Sequence, residues 1–162
     1  MYSTQPFKEK ENKMGLDMRL SATVYAMRGS EKESTGLVNM ITVEGTPITI
    51  SAEEVASIEI TICQWRNASA IHFWMLRQTE TENDSYVKIP CNRGTLKMLL
   101  SDIEEVLADE SKANLLLPDM PRLFKNANAY DDLYFRKLKQ TKEAIEEALA
   151  RNLHWFSYVA TS

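Results

Sequence analysis

Ile58-Glu59-Ile60-Thr61-Ile62-Cys63-Gln64-Trp65-Arg66-Asn67-Ala68-Ser69-Ala70-Ile71-His72-Phe73-Trp74-Met75-Leu76 changes its period partway along, and that change decides the fold class. Over Ile58 to Cys63, β-branched residues alternate with polar ones, the pattern of a half-buried strand. From about Arg66 to Gln78 the apolar residues Ala68, Ile71, Met75 and Leu76 recur at three- and four-residue steps, which predicts a helix. No glycine-rich turn joins strand to helix, which argues against a nucleotide-binding doubly wound fold.

Toward the N-terminus, Met18, Leu20, Ala22, Val24 and Ala26 alternate through Leu16 to Met27, predicting a strand. Gly29 to Gly36 is a polar loop. Met40 to Val43 and Ile48 to Ile50 flank the turn signal Glu44-Gly45-Thr46-Pro47. Ser51 to Glu54 carries a capping box, with a helix of about one turn expected there.

Toward the C-terminus, a polar loop from Thr79 to Ser85 leads to a short strand, Tyr86 to Ile89. Thr95 is expected to cap a helix whose stripe is Leu96, Leu99, Leu100, Ile103, Val106 and Leu107. Residues 115–128 read as irregular, with prolines at 118 and 121. A long helix is expected from Tyr130 to Arg151, capped by Asn128, with stripe Tyr130, Leu133 or Tyr134, Leu138, Thr141, Ile145, Ala148 and Leu149. Trp155 to Val159 reads as a closing strand. Strands before, between and after the helices predict an α+β fold: an antiparallel or mixed sheet of four to five strands with about three helices packed on one face. Residues 1–13, charged and short of apolar anchors, are expected to be a flexible N-terminal extension, and residues 14–162 a single α+β domain.

The 162 residues are 44% hydrophobic and 26% charged, an ordinary globular balance. Nineteen basic and 23 acidic residues give a net charge of −4. That is too mild for a nucleic-acid mimic and lacks the excess of basic residues that an extended nucleic-acid partner attracts. No apolar run approaches the roughly 20 residues of a membrane span, and the N-terminus lacks the apolar core of a signal peptide. Cys63 and Cys91 are too few for a disulfide framework and point to a reducing compartment.

Chemistry concentrates between Trp65 and Trp74. If the helix starts near Arg66, that residue lies in its first turn, where free N–H groups attract anions. Two indoles beside a guanidinium fork suit a stacked ring with a phosphate or carboxylate. Trp65, Arg66, Asn67, His72 and Trp74 therefore form the candidate ligand set, with Tyr130 and Tyr134 opposite. The competing reading has the indoles filling core space, His72 bonded at the core edge and Arg66 paired to a surface carboxylate. Thr141 is an odd polar residue on its helix stripe and is expected to donate a hydrogen bond inward. Cys63, His72, Cys91 and His154 lack close-pair metal spacing, and Cys63 in a buried strand is expected to be inert. No cofactor, metal ligand or catalytic residue is assigned.

Met14-Gly15-Leu16-Asp17-Met18, Trp65-Arg66 with Ala70-Ile71-His72-Phe73-Trp74, Leu116-Leu117-Pro118, and Tyr130-Asp131-Asp132-Leu133-Tyr134-Phe135 occur in this order. Together they resemble a family of small bacteriophage and prophage proteins, over Met14 to about Tyr158. The chain departs from that pattern at Asn67, where the family carries lysine, and at Ser69, where it carries asparagine. Asp119 to Lys125 replaces a loop rich in phenylalanine and glycine. The resemblance implies a phage accessory protein acting in the host bacterial cytoplasm. The expectation is non-enzymatic capture of a small, nucleotide-like ligand, as counter-defence sponges do, with a homo-oligomer helping to close the pocket. The alternative is a protein-binding inhibitor of a host defence enzyme or nuclease. A third reading uses His72 as the general acid or base of a phosphoester-directed enzyme.

Overall fold

The computed structural model describes residues 15–25, 41–43, 46–48, 55–82, 85–119, 130–151 and 153–161. The strands are β1 (Asp17–Tyr25), β2 (Ile41–Val43), β3 (Thr46–Ile48), β4 (Ser57–Arg66), β5 (Tyr86–Cys91) and β6 (Trp155–Thr161). The helices are α1 (Ser69–Thr79), α2 (Arg93–Ala108), α3 (Ala113–Leu116) and α4 (Asp132–Ala150), with a 3₁₀ turn at Glu110–Lys112. Strands β4, β1, β6 and β5 form, in that order, a four-stranded sheet whose neighbours all pair antiparallel. Strands β2 and β3 pair as a separate two-stranded unit. The α+β class and the antiparallel sheet are as expected. Alongside α1, α2 and α4 the chain adds the short α3 and the 3₁₀ turn within a stretch read partly as irregular.

The strands sort their residues by parity. Met18, Leu20 and Ala22, Cys63 and Trp65, Val87, Ile89 and Cys91, and Phe156, Tyr158 and Ala160 are all buried against the helices. They meet Ile71 and Met75 of α1, Leu96, Leu99, Ile103 and Val106 of α2, and Leu138, Ile145 and Ala148 of α4. The opposite face carries Asp17, Arg19, Gln64, Arg66, Tyr86, Lys88 and Trp155, all exposed, around a centre where Ser21 is 2% exposed and the Ser157 hydroxyl is buried. Ile62 has no partner on β1, where the register steps from Leu20–Cys63 to Ser21–Thr61, a β-bulge.

Several boundaries move from the sequence reading. β4 runs on through Trp65 and Arg66, so the helix begins at Ser69 and Arg66 is not in its first turn. Asn92, not Thr95, caps α2: its side-chain oxygen accepts from the Thr95 amide at 2.9 Å. Asp131 caps α4, accepting from the Tyr134 amide at 2.9 Å. β3 starts two residues before Ile48, placing Pro47 opposite Thr42. The predicted turn of helix at Ser51–Glu54, the Gly29–Gly36 loop, the Asn128 cap and residues 1–13 lie outside the described residues.

Candidate functional site

The turn from β4 into α1 is built by Asn67. Its φ of 55° is left-handed, a conformation asparagine tolerates better than most side-chain-bearing residues. Its amide donates to the Leu16 carbonyl at 2.7 Å, while its side-chain oxygen accepts from the Leu16 amide at 2.8 Å. The carboxamide is thus spent clasping the start of β1 to the end of β4. Lys137 of α4 donates to the Asn67 carbonyl at 2.8 Å from the other side.

From there the candidate residues part company. Trp65 is 5% exposed and its indole N–H donates to the Thr141 hydroxyl at 2.8 Å. Thr141 donates to the Lys137 carbonyl of its own helix at 2.7 Å, so it is bonded inward as an acceptor from Trp65 and not as the donor expected. His72 is 2% exposed, with Nδ1 2.8 Å from the Tyr158 hydroxyl of β6. Trp74 is fully buried, and its indole N–H donates to Asp102 of α2 at 2.7 Å. Tyr134 is buried and donates to the Leu117 carbonyl at 2.8 Å. Tyr130 packs edge-on against Tyr134 and donates to Asn114 at 3.1 Å. Arg66 points away from all of these into solvent, 3.7 Å from Asp17.

Among the described residues, these seven are therefore not brought together around the shared cavity expected of them. Trp65 and Arg66 border one shallow groove of about 580 Å³ with Asp17, Arg19, Gln64, Val159 and Thr161. Asn67 and Tyr134 border a notch of about 10 Å³, which is space for one water rather than a nucleotide. That notch is closed partly by Ser69, whose hydroxyl donates to Asp119. His72, Trp74 and Tyr130 line neither. The physical reason is that α1 is covered on two sides. His72 faces β6 while Trp74 faces α2, so both flanks of the helix lie in core.

Burial has the same signature on titratable groups. Desolvation pushes the Cys63 and Cys91 thiols up to about 11, so neither is a ready nucleophile or metal ligand at neutral pH. The Tyr158 hydroxyl is pushed well above its ordinary range by burial and then by Cys91, and Tyr134 by burial, Tyr130 and Asp119. Both phenols stay protonated at neutral pH. Among the described residues no group of three His, Cys, Asp or Glu side chains could hold a metal ion.

Apart from Thr141, sequence reading missed the side chains that partner these groups, and it missed Arg93. Arg93 donates to the Leu153 and Leu149 carbonyls at 2.8 and 2.9 Å, closing the end of α4, and its place just after β5 gives no hint of that. Asp102 looks like any exposed acid on α2. Trp155 was missed too, although strand parity opposite to Phe156 and Tyr158 could have put it on the face that no described helix covers, where it is 66% exposed. With Pro90 to Gly94, His154 and Phe156 it borders an open groove of about 640 Å³.

No protein-family model matches this chain, and neither does any curated protein or solved structure.

Proposed function

We propose that this chain is a non-enzymatic phage accessory protein that binds a host protein, as an inhibitor of a defence enzyme or nuclease, through the exposed rim of the sheet face that no described helix covers. The observation that carries the reading is the exposure of Trp155 and Tyr86, 66% and 57%, on a face no described helix covers. Large amphipathic rings held rigidly on a sheet are the usual anchors of a protein interface. Arg19 pairs with Glu59 at 3.1 Å, and Arg66 lies near Asp17. Cations already balanced in this way suit a protein surface of mixed charge better than a phosphate backbone. The resemblance to small phage proteins supports the host setting. The small-molecule reading loses ground because Trp65, His72 and Trp74 are engaged inside the fold while Arg66 lies in solvent apart from them.

Tagged full-length protein, expressed in a bacterial host, tests this against the Trp155→Ala/Tyr86→Ala double variant. The expected result is one host protein retained in stoichiometric amount by the parent and lost by the variant. A nucleotide released on heating, with no protein retained, would establish the sponge instead. Phosphoester turnover abolished by His72→Ala would establish the enzyme.

A further inference from the structure

The two outer strands of the sheet are not protected alike. β5 carries Lys88 and Pro90 in six residues, and both are exposed. A lysine and a proline are the devices that discourage another strand from adding to an edge. β4 has ten residues, Ser57–Arg66, without proline, and four are β-branched: Ile58, Ile60, Thr61 and Ile62. Among the described residues, β1 is its only strand neighbour.

We infer that the outer edge of β4 pairs antiparallel with β4 of a second copy, joining two sheets into one of eight strands. The occupant is identified by charge. Glu59, Thr61, Gln64 and Arg66 all lie on the uncovered face, opposite Thr23, Ser21, Arg19 and Asp17 of β1. A two-fold axis between Ile62 and Cys63 sets Glu59 of each copy beside Arg66 of the other and Thr61 beside Gln64. Asp17 lies opposite Arg66 on one copy and Arg19 reaches along its strand to ion-pair with Glu59 on the other, so charges of alternating sign run across the seam: Asp17, Arg66, then Glu59 and Arg19 of the second copy. Opposite charges side by side favour pairing, and the symmetry delivers the row twice. On the other face the same register brings half-buried Ile60 beside Trp65. The bulge at Ile62 bends the edge, but it sits next to the axis, so both copies bend at the same height. Such an axis stands perpendicular to the sheet and keeps both uncovered faces on one side. A seam of strand edges alone is at the small end of specific interfaces, so the dimer is concentration-dependent rather than obligate. This inference concerns the edge of the sheet and stands whether or not the face binds a host protein.

Sedimentation equilibrium of the full chain over a range of concentrations tests it. The parent is expected to pass from monomer to dimer. Arg66→Glu sets two carboxylates against each other at both ends of the seam and should weaken the dimer at least roughly tenfold. Adding Glu59→Arg to that variant restores opposite charges and should recover the dimer. A mixture of Glu59→Cys and Arg66→Cys should give an intermolecular disulfide that neither gives alone. A parent that stays monomeric throughout, a dimer indifferent to Arg66→Glu, or equal cross-linking by Glu59→Cys alone would overturn the proposal.

Discussion

On the helix side of the sheet, Trp65 and Tyr158 are buried and each hydrogen-bonds a side chain from another element. On the far side, Trp155 and Tyr86 stand in solvent. The same residue types serve two purposes, and parity along a strand separates them. A buried ring with a polar tip must find a partner inside, and Thr141, His72, Asp102 and the Leu117 carbonyl supply those partners. An exposed ring needs none. A cluster of specialised side chains in sequence is therefore no guide to a site until each is assigned a face.

The sharpest way to break this contrast is Trp74→Ala. It empties a fully buried site and leaves Asp102 without its indole partner, and large-to-small loss of a buried Trp costs about 3–5 kcal/mol. Urea unfolding followed by circular dichroism reads that loss directly. Next comes alkaline titration. The folded chain holds the Cys63 and Cys91 protons up to about 11, against a usual 9.0. Their contribution is therefore complete below pH 9 and falls as the pH climbs toward 11, by on the order of 2 kcal/mol per thiol. Midpoints of urea unfolding measured across that interval should decline, and should decline less for Cys63→Ala/Cys91→Ala.

A smaller effect distinguishes a missing partner from a missing ring. Thr141→Val keeps the shape of the side chain but strands the Trp65 indole N–H, at a cost of roughly 1–3 kcal/mol. Thr141→Ser retains the hydroxyl and should lose less. At the bottom of the scale, Trp155→Ala removes an equally large ring from the uncovered face and should shift stability by no more than about 0.5 kcal/mol. Thermal unfolding of Trp74→Ala, Thr141→Val, Thr141→Ser and Trp155→Ala side by side orders them.

How far the residues alone lead is clear from particular elements. Alternation in Asp17–Tyr25 and Trp155–Thr161 follows from one helix-covered face, so the strands were legible, and so was the parity of Met18, Leu20 and Ala22, but Val24, expected inward, is 40% exposed and Ser21 is buried. Periodicity likewise marked Leu96, Leu99, Ile103 and Val106 of α2 as core. The start of α1 was not legible. Whether Trp65 and Arg66 end a strand or open a helix depends on Asn67 clasping Leu16, 51 residues away in the chain. The candidate site failed for a related reason. Helical spacing marks Ala68, Ile71 and Met75 as inward, but the depth of His72 and Trp74 is set by β6 and α2, which no local pattern reveals.

Iodide quenching of tryptophan fluorescence tests the division of the two faces most directly, because the chain's three indoles are distributed between them. The structure predicts one accessible emitter, Trp155, with Trp65 and Trp74 protected, and Trp155→Phe should abolish the quenchable fraction. Quenching that persists in Trp155→Phe would place an indole of the Trp65–Trp74 block in solvent and contradict the account.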